Sequence, residues 1–95
     1  MKLEYGHRAV ADLDAIFDYL DQHSTQAAAK VIATIRFRIE KLKRSPLSGR
    51  PTELPGIRSL TIVRYPYIVY YQVRGETVSI VHIRHQRRAS WQGQD

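Results

Sequence analysis

The spacing of apolar residues changes its period twice along the chain. Polar and apolar residues alternate over residues 2–5, which predicts a short edge strand. Apolar residues then recur at helical spacing, which predicts one helix over about residues 8–21 and a second over about residues 25–43. A short link joins the two helices, and Ser24 or Thr25 can cap the second. The pattern therefore predicts an antiparallel helical hairpin.

A period of two returns after the second helix. Pro46 ends that helix, and residues 45–56 form a turn-rich connection that has no period. Three runs rich in β-branched and aromatic residues follow, and Gly75 supplies the turn between the last two. The predicted strands cover about residues 57–63, 67–74 and 77–84.

Together these elements predict a single α+β domain over residues 1–95. An N-terminal strand precedes the antiparallel helical hairpin (about residues 8–43), and a three-stranded antiparallel meander (residues 57–84) packs on that hairpin. A basic C-terminal segment, residues 85–95, completes the chain. The alternative is a smaller helix–sheet module in which the first strand is disordered.

The middle predicted strand is apolar on both of its faces. One face carries Tyr67, Val69, Tyr71 and Val73, and the other carries Ile68, Tyr70 and Gln72. The helical hairpin can cover one face, so the other is either partly exposed or covered by something else. We therefore expect an acidic, partly disordered protein partner in the apolar groove between hairpin and sheet, bordered by Arg58, Arg64 and Arg84.

Charge supports a partner of opposite sign. The formal net charge is +6, and the C-terminal half carries seven arginines and no lysine against three acidic residues. Arginine suits planar, bidentate contacts with phosphate or carboxylate. Such a surface fits nucleic acid or an acidic protein, and composition alone does not choose between them.

Several classes of protein are disfavoured by what the sequence lacks. The chain has no cysteine, which excludes a disulfide framework and a cysteine-based metal site. No apolar run approaches the length of a membrane span, and the N-terminus lacks the apolar stretch of a signal peptide. We expect a cytoplasmic protein that binds no cofactor and no membrane.

Two charged helix surfaces admit a structural and a functional interpretation. The first helix carries Asp12, Asp14, Asp18 and Asp21, which form a solvated acidic face rather than a metal site because no His or Glu completes a ligand set. The second helix ends in Arg36, Arg38, Lys41, Lys43 and Arg44. Cations there are expected from the helix dipole, and the alternative is a contact with a partner.

The candidate catalytic and phosphate-binding residues lie near the ends of the predicted strands. His82 and His85 lie three residues apart on a strand and point to opposite faces, so they do not form a metal pair. A histidine such as His85 could protonate a leaving oxygen while arginines hold a phosphate and Glu53 acts as base. The remaining candidates are Arg58, Arg64, Arg87 and Arg88. The composition favours the alternative, which is a basic binding surface without catalysis.

The C-terminal third also resembles a known family. An arginine-bearing GIRSL strand, the tract YPYIVYYQV, the Gly75 turn and a closing H-x-R-R-x-x-W are similar to the RelE/ParE toxins of bacterial type II toxin–antitoxin systems, which include plasmid stabilisation proteins. The resemblance covers nearly the whole chain and implies the same order of elements. It further implies either ribosome-dependent mRNA cleavage (RelE and YoeB types) or poisoning of DNA gyrase (ParE type). In both cases a cognate antitoxin neutralises the toxin in a hetero-oligomeric complex.

Several catalytic residues of the RelE type have no counterpart in this sequence. That type uses two lysines on the first strand after the hairpin and an arginine on the next, and these positions are Ser59, Thr61 and Ile68 here. The C-terminal arginine is retained as Arg87, whereas the catalytic tyrosine after it has no match, since Trp91 is the aromatic residue nearby.

The YoeB pattern is matched in part as well. Its loop glutamate corresponds to Glu53 with a displacement of one position, and its histidine corresponds to His85. Its strand arginine is again Ile68, and its final tyrosine is Gln86. Neutral residues at these positions favour a ParE-type gyrase inhibitor over a ribonuclease.

The resemblance assigns residues to three roles. Target binding falls to Arg58, Arg64, Arg87, Arg88 and Trp91, and antitoxin binding to Ile68, Tyr70 and Arg84. If the protein is a ribonuclease, the catalytic residues are Glu53, His85 and Arg87. The implied partners are the antitoxin together with gyrase or, in the alternative, the ribosome and mRNA. A family member that has lost its toxicity and binds only its antitoxin is the remaining alternative.

Overall fold

The computed structural model describes residues 1–88 and 91–93. This part of the chain forms two helices and five strands, with a 3₁₀ turn after the second helix. The elements are β1 Lys2–Tyr5, α1 His7–Asp21, α2 Thr25–Glu40, the 3₁₀ turn Lys41–Lys43, β2 Arg50–Pro51, β3 Ile57–Thr61, β4 Tyr67–Arg74 and β5 Thr77–His85. The predicted α+β class, the helical hairpin and the meander of β3, β4 and β5 are confirmed.

The predicted element bounds were wrong in detail at three places. The helical spacing continued to residue 43, but its last turn tightens into the 3₁₀ geometry, in which Arg44 N donates to Lys41 O. The strand predicted to reach residue 63 ends at Thr61, where the chain turns before β4. The connection predicted to lack regular structure contains β2, which pairs with β3.

The sheet is wider than the predicted meander because β1 and β2 add one strand at each edge. The strand order is β1-β5-β4-β3-β2. β1 runs parallel to β5, with Leu3 opposite Val78 and Tyr5 opposite Ile80, and Gly6 N donates to Ile80 O at 2.9 Å where this pairing ends. The first strand is therefore part of the sheet, and the alternative with a disordered first strand is wrong.

Both helices pack on the same face of the sheet, here called the helix side. The buried core joins α1, α2, β4 and β5, and its residues at or near zero exposure are Ala9, Ile35, Ile39, Leu42, Ile62, Val69, Tyr71, Val78 and Ile80. Burial of a single Ile or Leu side chain stabilises a fold by roughly 1.5–3 kcal/mol. These contacts supply most of the apolar burial, so the helix side is the scaffold of the protein.

A bulge in β5 changes which of its residues face the helices. Tyr70 lies opposite His82 while the next residue, Tyr71, lies opposite Ile80, so Val81 is an extra residue on β5. An extra residue reverses the alternation of side chains beyond it. Val78 and Ile80 face the helices before the bulge and Ile83 faces them after it, which sends His82 to the opposite face, here called the outer face.

The connection before β3 is fastened to the helix side by two side chains. The hydroxyl of Tyr71 accepts from Gly49 N at 2.9 Å and donates to Pro46 O at 2.8 Å. The guanidinium of Arg58 donates to Gly49 O at 2.7 Å and to Leu47 O at 3.3 Å. The loop that looked irregular in sequence is thereby held in one place.

Candidate functional site

The outer face of the sheet brings together the neutral residues that replace the RelE-type cations. Ser59 lies opposite Tyr70, and Thr61 lies opposite Ile68. Ile68 in turn lies opposite Arg84 on β5. Two adjacent strands, β3 and β4, thus place Ser59, Thr61 and Ile68 side by side, and none of these three side chains is charged. Hydroxyl and alkyl groups cannot neutralise a phosphate as ammonium and guanidinium groups do.

Three aromatic rings cover the centre of this face. Tyr70 stacks on His82 with ring centroids 5.8 Å apart and an interplanar angle of 13°. Trp91 contacts both rings, at 5.2 Å from each centroid. Tyr70 is left only 6% exposed. The second apolar face of the middle strand is therefore covered, at its centre, by the chain's own C-terminal segment.

Arg84 holds the start of that segment against the sheet. Its Nε donates to the Tyr70 hydroxyl at 2.9 Å. One terminal nitrogen of its guanidinium donates to the carbonyls of His85, Gln86 and Arg88 at 3.0–3.2 Å. The predicted antitoxin residues Ile68, Tyr70 and Arg84 are thus neighbours on the outer face, and two of them bond to each other.

Asp12 fixes His82 from the helix that follows β1. The carboxylate is 14% exposed, and its Oδ2 accepts from His82 Nδ1 at 2.7 Å and from Ile83 N at 2.8 Å. Its Oδ1 accepts from Arg8 Nε at 3.2 Å. β1 stops at Tyr5, so Asp12 supplies the acceptor that a strand would otherwise provide to this part of β5.

The prediction that Asp12 belongs to a solvated acidic face is therefore wrong, while the other three aspartates of α1 are exposed as predicted. The reason is that Asp12 lies where α1 crosses β5. Helical spacing places Asp12 off the apolar stripe, yet the stripe does not reveal that α1 crosses the free edge of β5. Asp12 and His82 are the two residues of this region that sequence reasoning missed, and a buried polar pair across 70 positions leaves no local signal.

His85 lies on the helix side, away from Ser59, Thr61 and Ile68. It pairs with Tyr67, and the two rings meet edge to face at 5.4 Å. Arg87 N donates to His85 Nδ1 at 3.0 Å. A nitrogen that accepts carries no proton in the neutral ring, so Nε2 is the protonated nitrogen.

A cleft opens beside His85 between α1 and the ends of β4 and β5, and it is here called the helix-side cleft. Its volume is about 380 Å³. The lining residues are Asp12, Ala15, Ile16, Tyr19, Tyr67, Ile83, Arg84, His85, Arg87 and Arg88. Burial raises the pKa of Tyr67, the nearby Tyr19 phenol raises it further, and the Arg88 guanidinium opposes both. Apolar side chains from α1 and β5 thus adjoin a rim of arginines and aromatic rings.

The predicted target-binding residues occupy separate places in the fold. Arg58 bonds to the carbonyls of the loop before β2, whereas Arg64 is exposed in the connection between β3 and β4. Arg87 and Arg88 line the helix-side cleft, and Trp91 lies on the outer face. The three arginines that the sequence places around one groove, Arg58, Arg64 and Arg84, do not border a common groove.

Glu53 does not join the other two catalytic candidates. It is exposed in the loop between β2 and β3, and it is absent from the lining of the helix-side cleft that holds His85 and Arg87. The two candidates in the cleft are two residues apart and share a hydrogen bond. Residues 89–90 and 94–95 of the predicted basic C-terminal segment lie outside the described residues.

Over residues 1–88 and 91–93, no group of three or more His, Cys, Asp or Glu side chains is arranged to hold a metal ion. No helix in the same residues is long and apolar enough to cross a membrane.

Comparison with known proteins identifies the family. Residues 3–90 match the family described as the ParE toxin of the type II toxin–antitoxin system parDE. Since this match spans most of the chain, the protein belongs to the ParE toxin family and is a toxin of a type II toxin–antitoxin system. The resemblance found in the sequence is confirmed.

Individual relatives carry both names of the wider family. A chain from the chromosomal ParDE toxin–antitoxin system of P. aeruginosa is 34% identical with a TM-score of 0.81, over 90% of this chain and 95% of that one. Toxin RelE2 of Caulobacter vibrioides is 38% identical over 81 residues, which are 85% of this chain and 90% of that protein. The toxin fold of the E. coli RelBE toxin–antitoxin complex is also similar, with a TM-score of 0.67 at 18% identity over 92% of this chain and 98% of that one.

Proposed function

We propose that this toxin acts as a ParE-type inhibitor of DNA gyrase. The observation that supports it is the outer face, where Ser59, Thr61 and Ile68 stand side by side at the positions that carry cations in RelE-type nucleases. A ribonuclease of that type must stabilise the charge of a phosphate in the transition state. Neutral side chains at these three positions cannot supply that stabilisation, and the neighbouring Arg84 guanidinium is already bonded to Tyr70 and to backbone carbonyls. A protein that only binds its target does not need it.

The placement of the catalytic candidates also supports binding over catalysis. A general acid and a general base must both lie within hydrogen-bond reach of the reacting group. His85 is on the helix side against Tyr67, and Glu53 is exposed in a loop outside the cleft that His85 lines. Arg87 and Arg88 in the helix-side cleft, and Trp91 on the outer face, are instead residue types that are common anchors at protein interfaces.

The second candidate is a ribosome-dependent mRNA endonuclease. Two observations favour it: one relative at 38% identity is named Toxin RelE2, and His85 and Arg87 share one cleft. In that mechanism His85 acts as acid, Arg87 holds the phosphate and Glu53 acts as base. A third candidate, a toxin that has lost activity and only binds its antitoxin, keeps the same fold.

The antitoxin is proposed to bind the outer face around Ile68, Tyr70 and Arg84. Ile68 is half-buried, so it offers apolar surface beside the Arg84 guanidinium. The net charge of +6 favours an acidic partner. Solved relatives are described as a ParDE system and a RelBE toxin–antitoxin complex, which supports a hetero-oligomer of toxin and antitoxin. We propose that this complex forms in the cytoplasm.

Two assays on the purified toxin distinguish the targets. The first measures supercoiling of relaxed plasmid by gyrase, and the second measures cleavage of mRNA on translating ribosomes. Inhibited supercoiling with intact mRNA is the expected result. Cut mRNA that becomes intact on His85→Ala, with supercoiling unaffected, would establish the ribonuclease instead. Inactivity in both assays, together with tight antitoxin binding, would establish the inactive family member.

A further inference from the structure

The helix-side cleft also has the composition of a small-ligand site, in addition to the roles proposed above for His85, Arg87 and Arg88. Its volume of about 380 Å³ falls in the range of small-molecule sites, roughly 300–1,000 Å³. It lies on the opposite side of the sheet from Ser59, Thr61 and Ile68. We propose that this cleft binds a nucleotide, with the phosphate held by Arg87 and Arg88 and the base packed against Tyr19.

The donors for a phosphate are present and unoccupied. Within residues 1–88 and 91–93, the guanidinium groups of Arg87 and Arg88 make no hydrogen bond or salt bridge, although both line the cleft. His85 adds a third donor, because its Nδ1 accepts from Arg87 N and its Nε2 carries the proton. Guanidinium groups bind phosphate through parallel N–H donors, which fits an arginine pair at the rim.

The acidic residue of the cleft does not oppose an anion. Both oxygens of Asp12 are already engaged, by His82 Nδ1 and Ile83 N on one side and by Arg8 Nε on the other. Arg84 also lines the cleft, and its guanidinium is bonded to Tyr70 and to backbone carbonyls. Arg87 and Arg88 are therefore the cations available to a bound phosphate.

The remaining walls suit a planar ring. Tyr19 is 64% exposed on α1, and its ring meets the His23 ring edge to face at 6.4 Å, so much of a large aromatic side chain is open to solvent. Tyr67 and His85 form an aromatic wall, while Ala15 and Ile16 add apolar surface from α1. Stacking of a base on an aromatic ring contributes roughly 1–3 kcal/mol per base. Aromatic walls beside arginines favour a nucleotide over an acidic peptide.

The inference goes beyond the proposed gyrase target and can be tested on the toxin alone. Adenosine monophosphate, adenosine and inorganic phosphate are titrated into the purified protein, and NMR shifts of Tyr19 and His85 report occupancy of the cleft. Adenosine monophosphate is expected to shift both residues and to bind more tightly than either of its parts. Arg88→Gln should weaken binding by at least about tenfold, because a hydrogen bond to a charged group is lost.

Two variants complete the design. Tyr19→Ala removes the aromatic ring on which the base is proposed to stack. This variant should bind adenosine monophosphate more weakly and should bind inorganic phosphate as the unmodified protein does. Arg44 is an exposed arginine outside the cleft, so Arg44→Gln is the matched control. It should leave the binding of both adenosine monophosphate and inorganic phosphate unchanged.

Four results would overturn the proposal. The first is that adenosine monophosphate shifts the NMR signals of arginines throughout the protein, and the second is that Arg88→Gln and Arg44→Gln weaken its binding equally. The third is that inorganic phosphate binds as tightly as the nucleotide. The fourth is that a glutamate-rich peptide occupies the cleft and the nucleotide does not. None of these results depends on gyrase, since supercoiling is measured separately. A failed nucleotide site is therefore distinguishable from a failed gyrase assignment.

Discussion

The two faces of the sheet are both covered, but by very different amounts of structure. On the helix side, α1 and α2 bury a continuous core in which Tyr71 and Ile80 have no exposed surface. On the outer face, Tyr70 reaches a similar burial through contacts with His82, Arg84 and Trp91. Two neighbouring tyrosines of β4 are thus buried by a scaffold on one side and by a short segment on the other.

We infer that the helix side contributes most of the stability of the fold and that the outer face serves mainly to bind a partner. A short C-terminal segment contributes far fewer apolar contacts than a helical hairpin, so it contributes less to the free energy of unfolding. We therefore expect substitutions on the outer face to affect partner binding more than the stability of the fold. Substitutions of the same kind on the two faces test this directly.

The largest expected difference comes from isoleucine truncation. Ile80→Ala empties a fully buried position on the helix side and should cost about 2–5 kcal/mol of unfolding free energy. Ile68→Ala on the outer face removes a half-buried side chain and should cost about 1 kcal/mol. Urea denaturation of both variants measures the two losses. Equal losses would show that the outer face is as much a part of the scaffold as the helix side.

A smaller difference is expected from removing the hydroxyls of the adjacent tyrosines. Tyr71→Phe leaves the buried Gly49 N–H without an acceptor and Pro46 O without a donor, at a cost of about 1–3 kcal/mol. Tyr70→Phe loses one hydrogen bond from Arg84, whose guanidinium is partly accessible to water, at a cost of about 0.5–1.5 kcal/mol. Thermal unfolding compares the two, and a larger loss for Tyr70→Phe would contradict the asymmetry.

The smallest effect is confined to alkaline pH. Burial raises the pKa of Tyr67 above its value in the unfolded chain, so the folded protein retains the phenolic proton longer. The resulting stability is present below the unfolded pKa, near 10, and is lost as pH rises through the folded pKa. Tyr67→Phe should therefore show a shallower decline of unfolding free energy above pH 10. An unchanged decline would show that Tyr67 does not contribute.

The sequence predicted most of the scaffold because the signals there are local. Helical spacing, the Ser24 cap and the Gly75 turn each act within a few residues, and the structure contains all of them, with Ser24 Oγ accepting from Ala27 N at 3.1 Å. The parallel pairing of β1 with β5 was not predicted, because it joins residues about 75 positions apart. Such a contact depends on how the hairpin packs and not on any pattern along the strand.

The candidate site was harder to predict, largely because Val81 is an extra residue in β5. Strict alternation from Val78 and Ile80 would place His82 toward the helices and His85 on the outer face. The bulge at Val81 exchanges them, so His82 joins Tyr70 and Trp91 while His85 joins Tyr67. A single inserted residue has no compositional signature here, since Val81 is as typical of a strand as its neighbours.

The most direct test of gyrase poisoning is a cleavage assay. Gyrase, ATP and supercoiled plasmid are incubated with the toxin, the reaction is stopped with detergent and protease, and linear DNA is quantified. We predict that linear DNA accumulates with increasing toxin, that Trp91→Ala reduces it and that the control Arg44→Gln does not. Absence of linear DNA at every toxin concentration, with mRNA cut on ribosomes by the same preparation, would contradict the assignment.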